Sequence, residues 1–338
     1  MKVAAISILL LFAVPRWTMQ NSGVTARLRG VSAVSERVAW ASGSGSTVLR
    51  TVDGGLTWQK LAVTTDTLDF RDIDAIDAQT AYVLAAGNGP ASRIYKTTDA
   101  GQTWTMQFKA EDPKVFLDAM SFWDADHGIV FGDSIAGQFY VLTTNDGGRV
   151  WSRVPVDKLP AALENEGAFA ASGTNIALFG KSHAWIGTGA AAKSRVLHTA
   201  DGGQTWQISD TPLTSGPSAG IFSIAFRDTK HGVIAGGDYR KEREAINNLA
   251  ITNDGGNTWT LVKGLSGFRS VVAYVPGVPG TKTLIALGPS GGDYSIDDGR
   301  TWSPIPSPGF DTFSFAPRKR IGWASGAQGS IGRLTFSN

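Results

Sequence analysis

Apolar residues in this chain come in short strand-length bursts, and most bursts run into a glycine-rich loop. "VAWASGSG", "AYVLAAGNG", "HGIVFGDS", "HAWIGTG", "HGVIAGGD" and "TLIALGPSGG" share this form. A second strand follows each loop and ends in Thr or Ser, as in "STVLRT", "SRIYKT", "RVLHT" and "NLAIT". Ahead of each burst lies another strand, such as "LRGVSAV", "FRDIDAI", "FLDAMSF" or "FRSVVAY". The order repeats along the chain, and a short tryptophan-led strand closes each unit.

One motif marks six successive units. "TVDGGLTW" (Thr51–Trp58) recurs as TTDAGQTW, TNDGGRVW, TADGGQTW, TNDGGNTW and SIDDGRTW, with tryptophans 43 to 55 residues apart. A period near 45 residues with four strands, A to D, per unit predicts an all-β propeller. The motif, S/T-x-D-x-G-x-T-W, is similar to the Asp-box, or BNR, repeat, and it falls at the C–D hairpin. Its aspartate suits hydrogen bonds from its own turn, its glycine a positive φ, and its tryptophan a wedge against the blade. Asp53, Trp58, Asp99, Trp104, Asp146, Trp151, Asp201, Trp206, Asp254, Trp259, Asp297 and Trp302 are therefore expected to be structural.

The tail supplies three further strands, Thr312–Ala316, Ile321–Ser325 and Gly332–Phe336, and then ends. "RWTMQ" (Arg16–Gln20) resembles "TWQKL" and "TWTMQ", so the N-terminal strand is expected to complete a seventh blade, with Trp17 as its box tryptophan. Seven units over residues 16–338 give about 46 residues each, which matches the period. Closing the ring this way leaves no open sheet edge.

Composition narrows the chemistry. The 41 glycines and 11 tryptophans fit many tight turns and all-β structure. Without cysteine there is no disulfide, thiolate metal site or cysteine nucleophile. A net charge of +2 gives no reason to expect nucleic acid as partner. One lysine and the apolar run Val3–Val14 read as a secretory signal over residues 1–15, too short for a membrane span. Cleavage before Trp17 would deliver a secreted or periplasmic monomer with no stable membrane span.

Ligand sites in propellers usually lie near the axis, on the face that carries the D–A and B–C loops. Candidates there are Arg29, Arg71, Asp118, Arg269 and Asp311 at the starts of A strands, with Glu164 and Glu166 in a long blade-four loop. The longest B–C loop adds Asp238, Tyr239, Arg240, Lys241 and Arg243, and Asp133 and Ser290 lie nearby. Arg29, Arg71 and Arg269 are expected to contact an anion, with Asp118, Glu166, Asp238 and Tyr239 giving directional contacts to a protein or glycan partner. Two other patterns carry less. "GTGAAA" (187–192) runs into a strand, not the helix a dinucleotide fold needs. His127, His183 and His231 fall one per blade at A–B turns, so neither a metal nor a cofactor is expected.

Residues 16–338 resemble the bacterial propellers grouped with the photosystem II assembly factors. The six boxes, "FWDADHGI", "FRDTKHGV", "EGAFAASGT", "GIFSIAFRD", "GGDYRK" and "GPSGGD" carry the likeness. It implies a non-catalytic module that holds a partner protein, with a basic patch on one face: here Arg29, Arg71, Arg240, Arg243 and Arg269, interrupted by Asp118 and Asp311. Some related chains are labelled oxidoreductase or glycosyl hydrolase. The alternative is a sialidase-type hydrolase, which implies an arginine triad (Arg29, Arg71, Arg269), a Tyr239–Glu166 nucleophile pair and Asp72 or Asp118 as acid. Against it, "ARLRG" stands where that family carries Arg-Ile-Pro.

Overall fold

The structure is a computed structural model and describes residues 15–277 and 281–336. The expected signal at 1–15 lies outside these residues, except for Pro15. Seven four-stranded antiparallel sheets form the fold. They span residues 28–61, 70–109, 117–153, 176–210, 219–261 and 271–305, and the seventh joins 312–336 to Pro15–Gln20. Each sheet keeps the order A-B-C-D. Every A strand packs on the A strands of the blades beside it, so the A strands form a closed inner ring.

The last blade closes as the sequence suggested. Pro15–Gln20 runs antiparallel to Ile331–Phe336, with Trp17 opposite Leu334. The Trp17 ring packs on Phe310 at 4.8 Å and edge-on to Phe313.

The core is divided like the ring. Each of the seven hydrophobic clusters straddles two adjacent blades. A single blade cannot bury both its faces, so burial drives neighbours together. Polar stitches add direction along the axis. Ser32 Oγ accepts the Ala75 amide, Asp72 accepts that of Met120, Asp74 that of Phe122, and Ser223 that of Val272.

The motif hairpins hold themselves as their residue types predicted. Asp53 Oδ1 accepts from the Thr57 amide (3.0 Å) and the Thr51 hydroxyl, and its Oδ2 accepts the Thr57 hydroxyl at 2.6 Å. Thr51 Oγ accepts the Gly55 amide at 2.8 Å. The same bonds recur around Asp99, Asp201, Asp254 and Asp297; the Asp146 copy lacks the Oδ2 bond because Val150 replaces threonine. Gly55, with φ +85°, and its five counterparts sit in the left-handed region, which explains the one glycine common to all copies. The hairpins also tie blades together: Trp185 donates to Gly255 O, and Tyr82 to Gly147 O.

Candidate functional site

On the face opposite these hairpins, a cavity of about 440 Å³ opens at the axis. Its floor comes from a segment that the repeat pattern left as a loop. Residues 166–174, "EGAFAASGT", cross the channel before the blade-four A strand begins at Ile176. Ser172 Oγ donates to Ser270 O in blade six, and Thr312 Oγ in blade seven donates to Ser172 O, both at 2.8 Å. Thr174 O accepts the Ile224 amide of blade five. Gly173 passes so close to blade two that a Cβ would lie 2.1 Å from Asp72 Oδ1, and its φ is +71°. The crossing strap touches blades two, five, six and seven, and Ala168–Ala171 line the cavity above it.

Four wall residues reach the cavity by one device. The A–B register skips a residue in blades one, two, three and five. The skipped residues are Arg29, Arg71, Asp118 and Phe222, and all four line the cavity. A bulge leaves one residue out of the ladder and re-aims its side chain. Here the bulges turn side chains at the strand starts toward the axis.

The walls are polarised. Arg27, Arg29 and Arg71 stand on one side. Arg27 is held in a two-bond pair with Asp311 (2.7 and 2.8 Å), and Arg71 Nε pairs with Asp69 at 2.7 Å. Arg29 makes no ion pair or hydrogen bond from its guanidinium with a described residue. Burial, and then the charges of Arg71 and Arg27, push its pKa down, so an anion there is favoured. Blade three carries Asp118 and Asp133. Asp118 is 1% exposed, and its Oδ2 has no hydrogen-bond partner among the described residues. Burial and the Asp133 charge raise its pKa well above the usual carboxylate range, and burial pushes Asp133 up to about 6. Aromatic rings complete the wall: Phe169 stacks on Phe222 at 4.0 Å, with Phe268 and Tyr239 edge-on to Phe222.

The expected site residues separate into two groups. Arg29, Arg71, Asp118 and Tyr239 meet around the cavity, with Tyr239 41% exposed. Arg269, Glu166 and Asp238 do not line it. Arg269 is fully buried, with Nε on Asp293 at 2.7 Å and Nη1 on Phe268 O. Glu166 forms a buried two-bond pair with Arg195 and accepts from Thr188 and the Leu163 amide, which anchors the strap. Asp238 caps its own loop through the Arg240 amide. The arginine triad and the Tyr239–Glu166 pair are thus not assembled. Asp72 lies buried in the inner ring, accepting from Ile73 and Met120, and is pushed up to about 7 by burial. Arg27, Glu242 and the ring of phenylalanines line the cavity without having been expected.

Two histidines share blade four: His183 Nδ1 lies 3.2 Å from His198 Nε2, beside Trp185. Among the described residues no group of three metal-ligating side chains occurs, and no helix is long and apolar enough to cross a membrane.

Fold and cavity together define a seven-bladed propeller with a floored axial site. No family model and no curated protein matches the sequence. Solved structures do match. YCF48 bound to a D1 peptide aligns over 97% of this chain and 99% of that one, at 17% identity and a TM-score of 0.67. YCF48 from Cyanidioschyzon merolae aligns over 94% and 98%, at 15% identity and the same score. A GH74 xyloglucanase from Xanthomonas campestris aligns over 94% of this chain but 53% of its own, at 16% identity and 0.64. At these identities the likeness concerns the fold.

Proposed function

We propose that this chain is a non-catalytic, exported propeller that works as a monomer and holds an extended segment of a partner protein in the axial cavity. The observation that carries this reading is the free Arg29 guanidinium beside Arg27 and Arg71, over a floored cavity with an aromatic wall. Such a site offers charge-assisted bonds to a carboxylate and apolar contact for a neighbouring side chain. A bound D1 peptide in the YCF48 structure makes polypeptide the partner class to test first. A glycan finds less here, because Phe222 and Phe268 are buried against other rings rather than laid out as a platform. Less also supports hydrolysis, since Glu166 and Arg269 are spent in buried ion pairs.

The test is fluorescence anisotropy with labelled acidic dodecapeptides. Binding should weaken about tenfold or more in Arg29→Ala, the loss of one charge-assisted contact. Peptides that bind the wild type and Arg29→Ala equally would remove the cavity from the account.

A further inference from the structure

The acidic side of the cavity is not explained by an anionic ligand. Asp118 and Asp133 stand on the same wall, Asp118 almost fully buried with one oxygen unpartnered. Among the described residues no arginine pairs with either carboxylate: Arg27 is bound to Asp311 and Arg71 Nε to Asp69, so Arg71 reaches Asp118 only through its charge. A Cβ on Gly167 would lie 1.8 Å from Asp133 Oδ1, so the strap packs tightly on this carboxylate and leaves it little room to swing toward solvent. The Ala168 and Ala170 amides favour the Asp118 carboxylate, but a buried oxygen left without a donor is costly, and it persists where a ligand completes it.

We propose that Asp118 and Asp133 form the receptor for one cationic nitrogen, an ammonium or guanidinium, that the bound polypeptide carries close to the carboxylate held at Arg29. This rests on the peptide-binding reading above and adds the second half of the recognition. The N–H groups of such a cation supply the donor that Asp118 Oδ2 lacks. Its charge also lets both carboxylates stay ionised side by side. The groups facing this site are Arg27, Arg29, Arg71, Glu242 and Asp311. The three arginines keep a lone cation weak, so anion and cation on one ligand should reinforce each other. A divalent metal is the poorer fit: the site offers two carboxylates, and among the described residues no third metal-ligating side chain joins them.

The experiment uses the full propeller and a peptide array. Every dodecamer carries one glutamate and one lysine at varied spacing, paired with a counterpart in which norleucine replaces lysine. The best binders should lose about tenfold in affinity with norleucine, as loss of a charge-assisted contact implies. Asp118→Asn and Asp133→Asn should each abolish the distinction, with thermal melts confirming that both variants fold. If peptides bind, need Arg29 and ignore the lysine, this inference fails while the peptide-binding reading stands. If no peptide shows dependence on Arg29, both fail. Saturable binding of Ca²⁺ alone that Asp118→Asn removes would also overturn it, in favour of a metal.

Discussion

Aspartate plays opposite parts on the two faces of this ring. At the hairpins, Asp53 and Asp99 are half-buried at the surface and surrounded by donors; the hydroxyls of Thr57 and Thr103, then their amides, hold these carboxylates down to about 2. At the axis, Asp118 is buried with the half-buried Asp133 beside it, and their pKa values rise. One residue type thus serves a turn that completes itself and a cavity that stays incomplete. Self-satisfied groups belong to the fold. An unsatisfied charged group at a cavity wall, held open by packing, points to a ligand.

The largest test of this contrast lies just beside the cavity. Arg269→Ala would strand Asp293 in the interior, and breaking a buried pair of this kind costs about 3–5 kcal/mol. Urea denaturation should show that loss. A change below about 1 kcal/mol would mean the pair is solvated, as surface pairs are, and that Arg269 is free to meet a ligand. Next comes Thr51→Val on the hairpin face. It removes the hydroxyl bridging Asp53 and the Gly55 amide and should cost about 1–2 kcal/mol in the same assay while leaving peptide affinity intact.

Smaller effects appear in the pH profile of the melting temperature. The folded values of Asp72, pushed up to about 7, and Asp133, up to about 6, exceed the unfolded value of 3.8. The folded chain therefore holds protons that the unfolded chain has released, and stability falls as pH rises from about 4 through 7. Hairpin aspartates act oppositely. The folded values of Asp53 and Asp99 lie near 2, so their contribution is present above about pH 4 and fades as pH falls toward 2. Asp133→Asn should make the neutral limb shallower and leave the acid limb unchanged, and Asp53→Ala should do the reverse, with Asp72 and Asp99 carrying part of what remains. If each variant changed the other's limb, the two faces would not be separable.

The fold was legible because each repeat states it again in strand order, hairpin motif and period, and because Trp17 repeats the tryptophan the tail lacks. Part of the cavity was legible too. Arg29, Arg71 and Asp118 recur at one place in the blade, and the bulges then turn that place toward the axis. The remainder depended on partners that no repeat announces. Glu166 meets Arg195 and Arg269 meets Asp293, pairs fixed by loop paths between strands. The strap breaks the repeat itself, and its contacts run across the ring to Ser270 and Thr312. "EGAFAASGT" was visible as a segment, but nothing local says that it crosses a channel.

The most direct measurement is a pair of anisotropy titrations with the same labelled acidic peptide, one on Arg29→Ala and one on Asp53→Ala. The account predicts about tenfold or greater weakening for Arg29→Ala and less than about twofold for Asp53→Ala, whose effect should appear only in its melting temperature. Tight binding by Arg29→Ala together with lost binding by Asp53→Ala would contradict it and move the functional face to the hairpins.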